Sequence, residues 1–84
     1  MIGEEEARDV AQRSLDAKAT SAPMMLDPVT IEYGEFWVFP FNTVTYYETN
    51  DLDFAHVGSG PIAVAKSDGS VRFLSGSRPF EEQL

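Results

Sequence analysis

The spacing of small and apolar residues changes character along this chain, and each change marks an element. From residue 4 to residue 19, Ala7, Val10, Ala11, Ser14 and Leu15 recur three and four positions apart, which places them on one stripe of an α-helix. Glu4, Glu5 and Glu6 stand at its start, where carboxylates oppose the positive end of the helix dipole. Lys18 stands near the other end and does the converse, each such charge contributing about 0.3–1 kcal/mol at most. The stripe is narrow and rich in alanine, so the helix is expected to lie close against a flat surface, in a chain of this size a sheet. Thr20-Ser21-Ala22-Pro23 is the expected stop.

Beyond it the period shortens to two. Met25 to Tyr33 alternates at Val29, Ile31 and Tyr33 and reads as a strand whose beginning Pro28 confines to an edge or a bulge. Gly34-Glu35 supplies a short turn, and Phe36 to Phe41 follows as a strand apolar on both faces, covered by the helix on one side and by something else on the other. Ile62 to Lys66 and Val71 to Leu74 flank Ser67-Asp68-Gly69-Ser70, whose Asp-Gly pair favours the positive φ values of a type I′ hairpin. A two-residue loop there sets Val64 opposite Phe73 and Ala63 opposite Leu74, with the first pair able to point toward the helix. Between Asn42 and Val57 the periodicity is lost: residues 43–47 could extend a strand, Glu48-Thr49-Asn50-Asp51 is turn-like, and the whole reads as an ordered loop. Pro79, followed by Phe80, Glu81 and Glu82, suits the first position of one last helical turn. The pattern predicts an α+β fold: an N-terminal helix on an antiparallel sheet of about four strands, in one domain over residues 1–84.

Composition narrows the chemistry. With 84 residues the chain can pack one layer on another, which excludes large two-layer enzymes. It has no cysteine and one histidine, so disulfide, thiolate and His/Cys zinc chemistry fall away, and no metal or cofactor is expected. The acidic start lacks the basic region of a secretory signal, and no apolar run approaches a membrane span of roughly 18 residues, so a soluble cytoplasmic protein is expected. Fourteen acids against six bases give a formal charge of −8, which opposes binding to nucleic-acid phosphates.

The distribution of that charge says more than its total. Residues 1–19 carry −2, residues 20–65 carry −6 without a single base, and residues 66–84 are neutral. Eight of the ten aromatic residues fall between Tyr33 and Phe54, in the same acidic stretch. Acid and aromatic side chains together compose a binding surface: tyrosines anchor a partner and carboxylates steer it. The candidate partner-binding residues are therefore Tyr46, Tyr47, Glu48, Asp51, Asp53 and Phe54, although solvated loop charges are the plainer reading of the three acids.

Other motifs dissolve on inspection. Gly58-Ser59-Gly60-Pro61-Ile62-Ala63 matches G-x-G-x-x-A, yet a dinucleotide site needs a helix after it and free N–H groups, whereas here a strand follows and Pro61 has no N–H. A glycine-rich turn leading into the next strand accounts for it. Asp51 and Asp53 begin a calcium-loop spacing that stops at Ala55. His56 has no G-x-S-x-G serine near it, and Ser59, Ser75 and Ser77 lie in turns without an identifiable base and orienter. Trp37 reads as core with its indole N–H at the rim, a partner hot spot being the minority reading.

Taken in order, the Ala-containing helix, the strand with Trp37, Gly58-Ser59-Gly60-Pro61, Lys66-Ser67-Asp68-Gly69, Phe73-Leu74-Ser75-Gly76 and Pro79-Phe80-Glu81-Glu82 resemble the immunity protein 35 family. The likeness covers most of the chain and is most specific from Gly58 to Leu84; Glu48-Thr49-Asn50-Asp51 also resembles the segment that members carry before the glycine turn. Ser59 stands where many members have Asn, and Gln83 where an aromatic residue is common. The resemblance implies a bacterial immunity protein of a polymorphic toxin system, which binds a cognate toxin domain and blocks it without chemistry; no catalytic residue carries over. A small accessory or chaperone-like domain with many clients is the competing reading, and a hydrolase dependent on His56 the third.

Overall fold

A computed structural model describes residues 1–18, 23–55 and 59–84. The first helix, α1, spans Glu4–Ala17 and buries Ala7, Ala11 and Leu15 at four-residue intervals. Lys18 caps it, and the Thr20-Ser21-Ala22 stop signal lies outside the described residues. Two polar side chains flanking the buried stripe bind the chain that follows. Gln12 accepts from the Leu26 N–H at 3.2 Å and donates to the Met24 carbonyl at 3.3 Å. Arg8 donates to the carbonyls of Asp27 and Pro28 at 2.9 and 3.2 Å and to Thr30 Oγ1 at 2.7 Å. The helix thus supplies hydrogen bonds to the backbone of residues 24–28, along a stretch that is regular only over Met24–Leu26.

The expected strand from Met25 to Tyr33 divides in two: β1 is Met24–Leu26 and β2 is Ile31–Tyr33. Pro28 cannot donate to a ladder, and the Asp27 carboxylate accepts from the Val29 N–H at 2.8 Å, which turns the chain out of one sheet and into the next. The expected strand from Phe36 to Phe41 divides likewise at Pro40, into β3 (Phe36–Phe39) and β4 (Phe41–Thr43). The two breaks meet, since the Asp27 N–H donates to the Pro40 carbonyl at 2.8 Å. What results is one bent ribbon: β1 pairs β4 in a two-stranded sheet, and β2 pairs β3 around the two-residue turn at Gly34, whose φ is +56°.

The larger sheet is antiparallel with order β2-β3-β5-β6, where β5 is Ser59–Ala65 and β6 is Val71–Ser75. The β5–β6 hairpin forms with a register shifted from the expected one. Val64 faces Val71 and Ile62 faces Phe73, and Ala65 and Ser70 close a four-residue loop, Lys66–Gly69. Gly69 has φ +76° whereas Asp68 keeps a negative φ, so the I′ geometry is not made. The Asp68 carboxylate instead accepts from the Ser70 N–H at 2.9 Å, a bond that also holds its pKa below the usual carboxylate value.

Both sheet faces are covered. Phe39, Ile62 and Val64, with Trp37 beside them, pack on Ala7, Ala11, Leu15 and Leu26. On the other face Val38, Ala63 and Leu74 pack with Phe36, Ile31, Phe80 and Leu84. The covering element on that second face is the C-terminal segment, with its 3₁₀ turn at Phe80–Glu82, and this is why the tryptophan strand reads apolar at every position. Phe39 and Ile62 are fully buried, each worth about 1.5–3 kcal/mol relative to exposure. The Trp37 indole donates to the Ile2 carbonyl at 3.1 Å and lies under the Lys66 ammonium, 4.8 Å from its ring centroid. Trp37 is therefore part of the fold.

Candidate functional site

The segment read as an ordered loop contains more regular structure than its sequence suggests. Helix α2 spans Val44–Thr49, and a 3₁₀ turn spans Leu52–Phe54. Val44, Thr45, Tyr46 and Tyr47 favour strands, but the caps at both ends override that preference. Thr43 is extended and buried, and its hydroxyl oxygen accepts from the Tyr46 N–H at 3.0 Å. Asn50 ends the helix in the left-handed region, φ +57°, and donates its N–H to the Tyr46 carbonyl at 2.7 Å. The Asp51 carboxylate then caps the 3₁₀ turn by accepting from the Asp53 N–H at 2.9 Å.

Thr43 holds the two pieces together. While it caps α2, its hydroxyl proton goes to the Phe54 carbonyl at 2.7 Å, tying the end of the turn to the start of the helix. Tyr47 ties the helix to the bent ribbon through its phenol, which donates to Asp27 Oδ2 at 3.2 Å. Burial, together with the adjacent Asp27 charge and this hydrogen bond, pushes the Tyr47 pKa up to about 12. Tyr46 and Tyr47 meet edge to face with centroids 5.6 Å apart, and both are half-buried.

The six candidate residues accordingly share one braced projection. Tyr46, Tyr47 and Glu48 lie on α2, Asp51 caps the 3₁₀ turn, and Asp53 and Phe54 lie within it. Glu48, Asp51 and Asp53 are all exposed, and no described residue bonds the carboxylates of Glu48 or Asp53. Sequence reasoning passed over Leu52, which is 77% exposed between Asp51 and Asp53, beside Phe54 at 49%. Its signal was an apolar residue inside an acidic turn. It also passed over Thr43, whose bracing role depends on a contact eleven residues away.

The remaining candidates are described only in part. His56 and Gly58 lie outside the described residues. The hydroxyls of Ser75 and Ser77 bond each other at 2.7 Å on an exposed turn. Gln83 bonds Ser75 through both ends of its amide, accepting from the N–H at 2.7 Å and donating to the carbonyl at 2.9 Å. Among the described residues no three acidic or imidazole side chains gather as a metal-binding group. A cleft of about 290 Å³ is lined by Ile31, Pro40, Phe41, Gly60, Pro61 and Phe80, none of which ionises.

A family model for immunity protein 35 matches residues 5–84. The chain belongs to the immunity protein 35 family. Neither curated proteins nor solved structures gave a match. Membership accounts for the motif order from α1 through the β5–β6 hairpin to Leu84, and an immunity protein has, in general terms, a toxin as its partner. No described helix of this family member is long and apolar enough to cross a membrane.

Proposed function

We propose that this member of the immunity protein 35 family binds a cognate bacterial toxin domain in the cytoplasm and neutralises it without catalysis, meeting it with the α2 and 3₁₀-turn projection. Family membership supports the partner class. The observation that carries the choice of surface is the exposure of Glu48, Asp51 and Asp53 on a backbone held by Thr43, Asn50 and Asp51 itself. Of the other three acids in residues 20–65, Glu32 is paired with Lys66, the Asp27 carboxylate accepts from the Tyr47 phenol, and Glu35 stands exposed on the turn between β2 and β3, so three of the six charges lie together on this projection. Such a surface accelerates encounter with a basic partner and competes for a cleft that handles phosphate or nucleic acid. Tyr46, Tyr47 and Phe54 border it.

Titrating the purified chain into the toxin domain encoded beside its gene tests the reading. Toxin activity is expected to fall to zero at equimolar chain, and reversal of Glu48, Asp51 and Asp53 to Lys is expected to relieve the inhibition. Undiminished toxin activity in excess wild-type chain contradicts it.

A further inference from the structure

Leu52 and Phe54 contribute backbone bonds to their turn, but their side chains stand apart from the core. Neither joins either buried cluster, yet both expose a large apolar side chain on a single 3₁₀ turn. Exposed apolar side chains scattered singly need no explanation, but two on one short turn, alternating with Asp51 and Asp53, form a patterned surface. The backbone beneath them is fixed at both ends, by the Asp51 cap and by the bond from Thr43 to the Phe54 carbonyl, so little conformational freedom remains to be lost on binding.

Building on the toxin-binding reading, we propose that Leu52 and Phe54 are the apolar anchors of that surface, inserted into an apolar concavity of the partner protein whose rim carries lysine or arginine. Charge selects this occupant. Residues 20–65 contain no base, so a symmetric contact of this surface with its copy would set acid against acid, the net charge of −8 opposes self-association more generally, and an anionic membrane or nucleic acid would be repelled. A basic rim meets Glu48, Asp51 and Asp53 while the floor of the concavity receives the two apolar side chains. The division of labour follows from physics: rim charges set the association rate and its salt dependence, whereas desolvated anchors set the dissociation rate.

The experiment measures association and dissociation rates for a catalytically inactivated form of the neighbouring toxin domain at low and moderate salt. The double variant Leu52→Ala, Phe54→Ala is expected to bind about tenfold more weakly or worse, through faster dissociation with an unchanged salt dependence. Leu52→Asp, which adds an acid to the turn, is expected to weaken binding too, although a purely electrostatic surface would gain from it. Affinities within twofold of wild type for both variants overturn the anchor assignment while leaving toxin binding intact. A wild-type chain that fails to bind the domain overturns both readings, and a double variant whose only change is a loss of self-association assigns the turn to a second copy instead. Both side chains lie outside the buried clusters, so the variants are expected to melt with the wild type.

Discussion

A methyl group on Gly60 would stand 2.4 Å from the Ser75 carbonyl oxygen and 2.6 Å from that of Leu74. Both obstacles are backbone, at the point where the β5–β6 register is irregular, so no side chain can move aside. Gly60→Ala is expected to lower stability by about 3 kcal/mol, read as an earlier midpoint in chemical denaturation; a midpoint equal to wild type contradicts the close approach. The sequence showed a glycine-rich entry into a strand there, but the reason for the glycine sits fifteen residues away in a partner strand. Tyr47 is a second residue whose role comes from a distant neighbour. Its neutral phenol is favoured in the fold, so its contribution is intact below pH 10 and is lost as pH rises toward about 12. Wild type is expected to lose stability across that window relative to Tyr47→Phe, and parallel stability profiles for the two would refute the bond to Asp27.

Elements were legible wherever the pattern was local. The Ala7, Ala11 and Leu15 stripe gave α1, and Gly34 and the Asp68-Gly69 pair marked true turns. The hairpin register was missed because an aspartate in a turn can bond its own backbone two residues on, and Asp68 does so with Ser70, which lengthens the loop to four residues. The two sheet switches were missed for a related reason. Pro28 and Pro40 announce breaks, but only the bond from the Asp27 N–H to the Pro40 carbonyl makes them coincide as one bend. Helix α2 was hidden because its residues prefer strands and its caps outweigh them. The cap at Thr43 carries a prediction at this scale. Thr43→Val keeps the shape but removes both hydroxyl bonds, and is expected to cost about 1–2 kcal/mol and to speed amide exchange across residues 44–54 specifically. Exchange unchanged in that segment would show that something else braces it.

For the molecule as a whole, charge segregation was visible at once, since it needs only counting. The structure adds which of those charges are already engaged: Glu32 meets Lys66 beside Trp37, Asp27 accepts from Tyr47, Asp51 accepts from the Asp53 N–H, and the carboxylates of Glu35, Glu48 and Asp53 are exposed. It also shows that both faces of the larger sheet are covered, by α1 and by the C-terminal segment, whereas the α2 and 3₁₀-turn projection exposes two large apolar side chains, Leu52 and Phe54, among three exposed acids. The immunity protein 35 family implies, in general terms, a toxin as partner, and the charge pattern is the ground on which the α2 and 3₁₀-turn projection is proposed to meet it. Hydrogen exchange of the chain, free and bound to an inactivated form of the neighbouring toxin domain, tests this most directly. Protection is expected to concentrate on residues 44–54. Protection confined to α1 or β6, with residues 44–54 exchanging as in the free chain, would contradict the account.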